Sequence, residues 1–201
     1  MVLGALGGAL VMRYFGDSIS GAALVLLVLL GSVLFGVVYS TLLGVASINF
    51  KADQTLVGTA MNLLGTAGAT VIVKAINTAA NPDDVSSAIQ YATPKTAFIV
   101  NIGKFEFNWF MLMAAVLLAI SYVLLYKTRF GLRLRACGEN PQAADSLGIN
   151  VYKMRYAGTT ISGALAGMGG FVYALTTANC SSNGDVAGFG FLALAVMIFG
   201  N

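Results

Sequence analysis

No histidine occurs in the 201 residues, so imidazole is lacking both as a general base and as a metal ligand. Charge is scarce as well. Only 9% of the residues are Asp, Glu, Lys or Arg, against about 25% in an ordinary soluble chain. With 58% hydrophobic residues and a net charge of +3, the composition excludes a soluble globular domain and equally a disordered chain, which needs low hydrophobicity and high charge. Proline is limited to three residues and cysteine to two. Cys137 and Cys180 fall in segments expected on opposite sides of a membrane, which argues against a disulfide, and no Cys-x-x-Cys pair offers metal or redox chemistry.

What is present is glycine, 24 residues of it without a Gly-X-Y period, and long uncharged runs. Both suit closely packed membrane helices. Residues 18–50 carry no charge, and about 20 apolar residues suffice to cross the hydrocarbon core. Residues 54–73, 107–126 and 156–184 are uncharged in the same way. The expected fold class is therefore all-α: a polytopic transmembrane helix bundle of about four full spans. Residues 1–12 and 186–201 are too short and read as partial spans at the two ends, so the single domain expected over 1–201 is read as a piece of a longer chain. Six basic residues, Lys127, Arg129, Arg133, Arg135, Lys153 and Arg155, share one connection with only Glu139 and Asp145, a net of +4. The positive-inside bias puts this loop, 127–155, in the cytoplasm. Alternation then puts 47–52 inside, and 13–20, 78–106 and 179–187 outside. The outer connection 78–106, with Trp109 and Tyr91 positioned as interfacial aromatics, reads as a landing surface for an outer partner.

Small residues mark where helices meet. Ser32, Gly36, Ser40 and Gly44 recur at four-residue steps, as do Gly4 with Gly8 and Gly163 with Gly167. Such stripes let backbones approach and indicate helix packing. In the third span Thr55, Thr59, Asn62, Thr66, Thr70 and Asn77 fall within an arc of about 80°. A polar face in hydrocarbon either lines a cavity or bonds a neighbouring helix. Every group on it is neutral, which suits a polar uncharged solute better than an ion or a proton relay. The candidate path residues are Thr55, Thr59, Asn62 and Thr66.

Within the basic loop, Asn140 to Gly148 reads as a short helix with Asn140 as N-cap, Pro141 at the first helical position and Gly148 just past the end. Two turns are too few for independent stability, so the helix is expected to dock on something.

Gln142-Ala143-Ala144-x-x-x-Gly148 resembles the cytoplasmic E-A-A-x-x-x-G motif of binding-protein-dependent ABC importer permeases, with Gln for the usual Glu. Thr128 to Val151, followed by Ser162 to Gly170, is similar to the permeases that move sugars, nucleosides and branched-chain amino acids. Lys51 to Asn62 and Gly190 to Gly200 look most like the nucleoside and simple-sugar branch. The resemblance implies that the loop helix docks in a groove of a separate cytoplasmic ATPase, with Asn140, Pro141, Gln142, Ala143, Ala144, Asp145, Leu147 and Gly148 as coupling residues. It also implies Ala143 and Ala144 as the small packing face, a second permease subunit of the same or a related kind, an extracytoplasmic solute-binding protein, and a bacterial or archaeal plasma membrane. Gln142 cannot make the charge-assisted contacts of a Glu. No G-x-x-x-x-G-K-[ST] stretch occurs, so ATP is expected to be used by the partner, and no catalytic residue, metal or cofactor is expected on this chain. The alternative is a secondary transporter or channel fragment, which calls for an intramembrane ionisable residue that none of the four uncharged intervals contains. A membrane enzyme would need converging His, Cys or carboxylates. Nucleic-acid binding is not needed to account for the basic loop, which membrane orientation and lipid phosphates explain.

Overall fold

The computed structural model describes residues 1–16, 22–50, 52–82, 86, 89–90, 99–102, 105–176, 181–182 and 188–199. In chain order they form α1 (Val2–Phe15), α2 (Ala22–Gly44) continued by a π-helical turn (Val45–Asn49), α3 (Gln54–Ala80), β1 (Ile89–Gln90), β2 (Ile99–Ile102), β3 (Phe105–Asn108), α4 (Trp109–Lys127), α5 (Arg129–Glu139), α6 (Pro141–Ser146), α7 (Val151–Thr176), β4 (Ser181–Ser182) and α8 (Phe189–Phe199). Helices dominate, as the uncharged intervals predict. Three of them, Ala23–Asn49, Gln54–Ala80 and Trp109–Lys127, are long and apolar enough to cross a membrane. With 26 residues α7 has the length as well, but glycines at 158, 163, 167, 169 and 170 dilute its apolar character. The third span runs past the expected 54–73 to Ala80, because Lys74 stays exposed near the helix end and does not interrupt it.

The fold packs as two compact units. One comprises Met1–Thr93 with Ile161–Asn201, the other Pro94–Thr160. In the first, α1 is the most deeply covered helix: Gly4 through Ala9 and Met12 are all buried, although its 14 residues are too few for a full crossing. The three small-residue series meet at one crossing of α1, α2 and α7. A Cβ placed on Gly167 would lie 2.5 Å from the Ser32 carbonyl oxygen, one on Gly4 would lie 2.7 Å from the Gly167 Cα, and one on Gly36 would lie 2.9 Å from that same Cα. Gly163 abuts the Ser40 side chain, and Gly44 is buried at the end of α2. Only residues without a side chain permit this approach, which replaces lipid contacts by tight backbone packing. Ser32 is completely buried there, and its hydroxyl has no hydrogen-bond partner among the described residues.

Against this crossing α3 turns Gly65, Ala69, Val73 and Asn77, four residues apart and all buried. The Tyr39 hydroxyl of α2 donates to the Met61 carbonyl of α3, and its ring covers Gly65. Short strands occur in the connections that follow α3 and α7. Ile89 pairs with Ser182 and Gln90 with Ser181, antiparallel, which brings these four residues, expected on one side of the membrane, side by side in the first unit. Strands of two residues carry no usable period, so this ribbon is not legible in the sequence.

In the second unit β2 and β3 pair as an antiparallel hairpin from Ile99↔Asn108 to Ile102↔Phe105 and lead directly into α4. The chain breaks at Thr128, whose hydroxyl donates to the Leu124 carbonyl at 2.5 Å and accepts from the Gly131 amide at 3.3 Å. A Cβ on Gly131 would lie 2.6 Å from the Leu125 carbonyl carbon, so α5 is folded tightly against the end of α4. Arg135 stacks on the Tyr126 ring, 3.6 Å from its centre, and Tyr126 stacks in turn on Tyr122.

Candidate functional site

Two features can act on a solute or a partner: the polar stripe of α3 and the helix within the 127–155 loop. Asp53 starts α3 as its N-cap, accepting the Thr55 amide at 2.8 Å and the Thr55 hydroxyl at 2.5 Å. These bonds, the hydroxyl first, hold its carboxyl below the usual range. Along the stripe burial deepens from the start of the helix to its end. Thr55, Thr59 and Asn62 are exposed, Thr66 and Thr70 half-buried, and Asn77 buried. The Thr59, Thr66 and Thr70 hydroxyls donate to their own helix, to the carbonyls of Leu56 at 2.9 Å, Leu63 at 3.0 Å and Ala67 at 2.8 Å. Each hydroxyl keeps its acceptor capacity, and the Asn62 carboxamide adds both a donor and an acceptor.

Only Asn77 uses the stripe for adhesion. Its Oδ1 accepts from Arg13 Nη1 at 2.6 Å, and its Nδ2 donates to the Ser86 carbonyl at 3.0 Å and lies 3.2 Å from the Ser86 hydroxyl. The stripe thus divides: one end ties α3 to α1 and to the following connection, and the other presents neutral polar groups on an uncovered face of the unit. Arg13 was not singled out by sequence reasoning. The signal is an isolated Arg closing an apolar run, which needs a partner near the membrane.

In the loop the sequence-predicted helix forms as α6. Asn140 Oδ1 accepts the amides of Gln142 and Ala143, each at 3.1 Å, Pro141 occupies the first turn, and Gly148 adopts φ +76°, the left-handed conformation that glycine tolerates best. Backbone bonds from Gly148 to Asp145 at 2.9 Å and from Ile149 to Ala144 at 3.1 Å close the end. Asn150 then caps α7 through the Lys153 amide at 3.0 Å.

The resemblance implies Ala143 and Ala144 as one packing face, and here the structure differs. Ala144 is 2% exposed and turned into its own unit, where α6 lies against α5. Ala143 points out with Gln142, Asp145, Ser146 and Leu147, the last 78% exposed. Adjacent helix positions lie about 100° apart, and here one alanine is covered within the unit while the other is exposed. Cys137 is buried in α5. Tyr91 and Cys180, together with most of the expected outer landing surface, lie outside the described residues. Among the described residues no cluster of three His, Cys, Asp or Glu could hold a metal ion.

The family model described as "Branched-chain amino acid transport system / permease component" matches residues 1–201. The guanosine ABC transporter permease protein NupQ of Bacillus subtilis is 42% identical over 205 aligned positions, covering 100% of this chain and 64% of its own. The nucleoside ABC transporter permease protein NupC of Lactococcus lactis is 41% identical over 170, covering 83% of this chain and 54% of its own. The galactose/methyl galactoside import permease protein MglC of Haemophilus influenzae is 30% identical over 82, covering 41% of this chain and 24% of its own. No solved structure matches significantly. The chain spans about half to two-thirds of the length of the first two relatives. With the whole chain matched by the family model and three helices of membrane-crossing length, this is a multi-pass membrane chain that belongs to the permease component family of the branched-chain amino acid transport system.

Proposed function

We propose that the chain forms part of the membrane path of an ATP-driven ABC importer for a nucleoside, with a simple sugar as the next solute class. The observation that carries this reading is the uncovered stripe of Thr55, Thr59 and Asn62 on a helix long enough to span the bilayer. Neutral groups of this kind can hydrogen-bond ribose hydroxyls and base edges as water is stripped away, without holding an ion. The two relatives at 41–42% identity carry guanosine and nucleoside names, which supports the same choice, and a relative 27% identical over 99% of the chain is named for glucose, which supports the second. On this reading α6 docks on a cytoplasmic ATPase through Gln142, Ala143, Asp145 and Leu147, while Ala144 fixes the helix to its own unit. ATP is bound by that partner. A second permease subunit, identical or related, completes the path, and a solute-binding protein delivers to the outer face in a bacterial or archaeal inner membrane.

The test is uptake by the full-length permease assembled with its ATPase in proteoliposomes, with its binding protein outside. Nucleoside uptake should require ATP and fall at least tenfold in Asn62→Leu, with Thr59→Val less affected and both variants inserted normally. Uptake of leucine instead of a nucleoside would overturn the substrate class. Normal transport by both variants would show that the stripe lies outside the path. Leu147→Glu should separate ATP hydrolysis from transport. Ala144→Glu is a poor probe of docking, because it would first disrupt the loop that holds the helix.

A further inference from the structure

The last residue of α4 and the start of α5 place a cationic, partly apolar helix face at the membrane surface. α4 has 19 residues, about 28 Å of helix, which about matches a hydrocarbon core of roughly 30 Å and leaves no excess length. Lys127 therefore ends at the headgroup level. Only Thr128 separates it from α5, and the close approach of Gly131 to the Leu124 and Leu125 carbonyls prevents α5 from moving away from that level. The stacking of Arg135 on Tyr126 fixes the roll of α5 about its own axis. Gly131 and Cys137 are covered, and Arg129, Leu132 and Arg133, at i, i+3 and i+4, are neighbours on the helix surface. All three are exposed, Leu132 to 71%.

A leucine between two arginines on an uncovered helix face, held at headgroup depth, is the arrangement of a helix lying in the interface. The apolar side chain reaches the acyl boundary, and the guanidinium groups extend to phosphate oxygens that they can bind in a bidentate manner. We propose that the Arg129–Leu132–Arg133 face of α5 is a binding site for anionic lipid headgroups of the adjacent leaflet. This site is independent of the solute and of the α6 docking surface, since α6 exposes a different set of side chains.

The experiment is native mass spectrometry of the full-length permease in mild detergent with phosphatidylglycerol or phosphatidylcholine added. At roughly one kilocalorie of headgroup attraction per basic residue, Arg129→Gln with Arg133→Gln should lower phosphatidylglycerol retention about 30-fold. Phosphatidylcholine retention should be unchanged. Arg129→Lys with Arg133→Lys should recover most of the binding, Leu132→Ser should lower it with the charge intact, and raising the salt should weaken it. An equal loss in Lys153→Gln with Arg155→Gln would show a diffuse charge effect and overturn the site. Unchanged lipid retention in the Arg129/Arg133 variant would overturn it too, and if that variant instead released the ATPase, the face belongs to a protein partner.

Discussion

Asn77 and Gly167 carry more of the packing than their size suggests. Asn77 is 4% exposed, and both of its amide atoms are engaged. Asn77→Leu leaves the Arg13 guanidinium without its acceptor in a half-buried site, so a loss of about 1–3 kcal/mol is expected, read as a lower unfolding temperature in detergent. At Gly167 the nearest atoms are backbone, which cannot swing aside. Gly167→Ala should destabilise by about 1–3 kcal/mol, whereas Gly68→Ala, on a helix surface with nothing within 4 Å, should be neutral or stabilise by up to about 1 kcal/mol. Thermal unfolding of the pair distinguishes close approach from mere helix propensity. Gly4, Gly8, Gly36, Gly163 and Gly167 were legible as a packing set, because a four-residue step of small side chains is a local signal. That α1, α2 and α7 meet at one crossing was not, since nothing in a stripe names its partner.

At the scale of the element, α6 shows how far local chemistry reaches. An Asn-Pro start and a glycine in the left-handed region are determined by a few adjacent residues, so the helix was readable to within a residue of its ends. Which of Ala143 and Ala144 turns inward depends on α5 and could not be read. Asn140→Ala should weaken the helix by about 0.5–2 kcal/mol, visible as faster amide exchange over residues 141–147 than in the parent. The start of α3 responds to pH. The Asp53 carboxyl is held below its usual value by the Thr55 hydroxyl and then the Thr55 amide, so the ionised form stabilises the cap. That contribution is complete above the ordinary carboxylate pKa and is lost as pH falls through the lowered one. Exchange at residues 55–57, corrected for intrinsic rates, should therefore rise on acidification in the parent but not in Asp53→Ala, and equal profiles would exclude a cap role. The spans were legible from uncharged intervals. The end of α3 was not, because a lysine that can extend to water does not stop a helix.

For the whole molecule, charge asymmetry predicts sides and the structure gives neighbours within each unit. In a Cys137→Ser, Cys180→Ser background, Phe50→Cys and Leu147→Cys, both 78% exposed, should react with an impermeant thiol reagent only from the cytoplasmic side. Tyr14→Cys should react only from the other side, and the reverse pattern would invert the topology. The first compact unit is discontinuous: its two stretches, Met1–Thr93 and Ile161–Asn201, are separated by the whole of Pro94–Thr160. During synthesis at roughly 5–20 residues per second, α1 and α2 therefore wait on the order of ten seconds, with Gly4 and Gly36 bare, before Gly163 and Gly167 are made. The pairing of Ile89 with Ser182 comes later still. The later-encoded unit can thus be complete while the earlier one is still open, and a ribosome stalled near Thr160 leaves a hairpin whose glycine faces have no partner in their own chain. Such an intermediate is a natural substrate for membrane quality control.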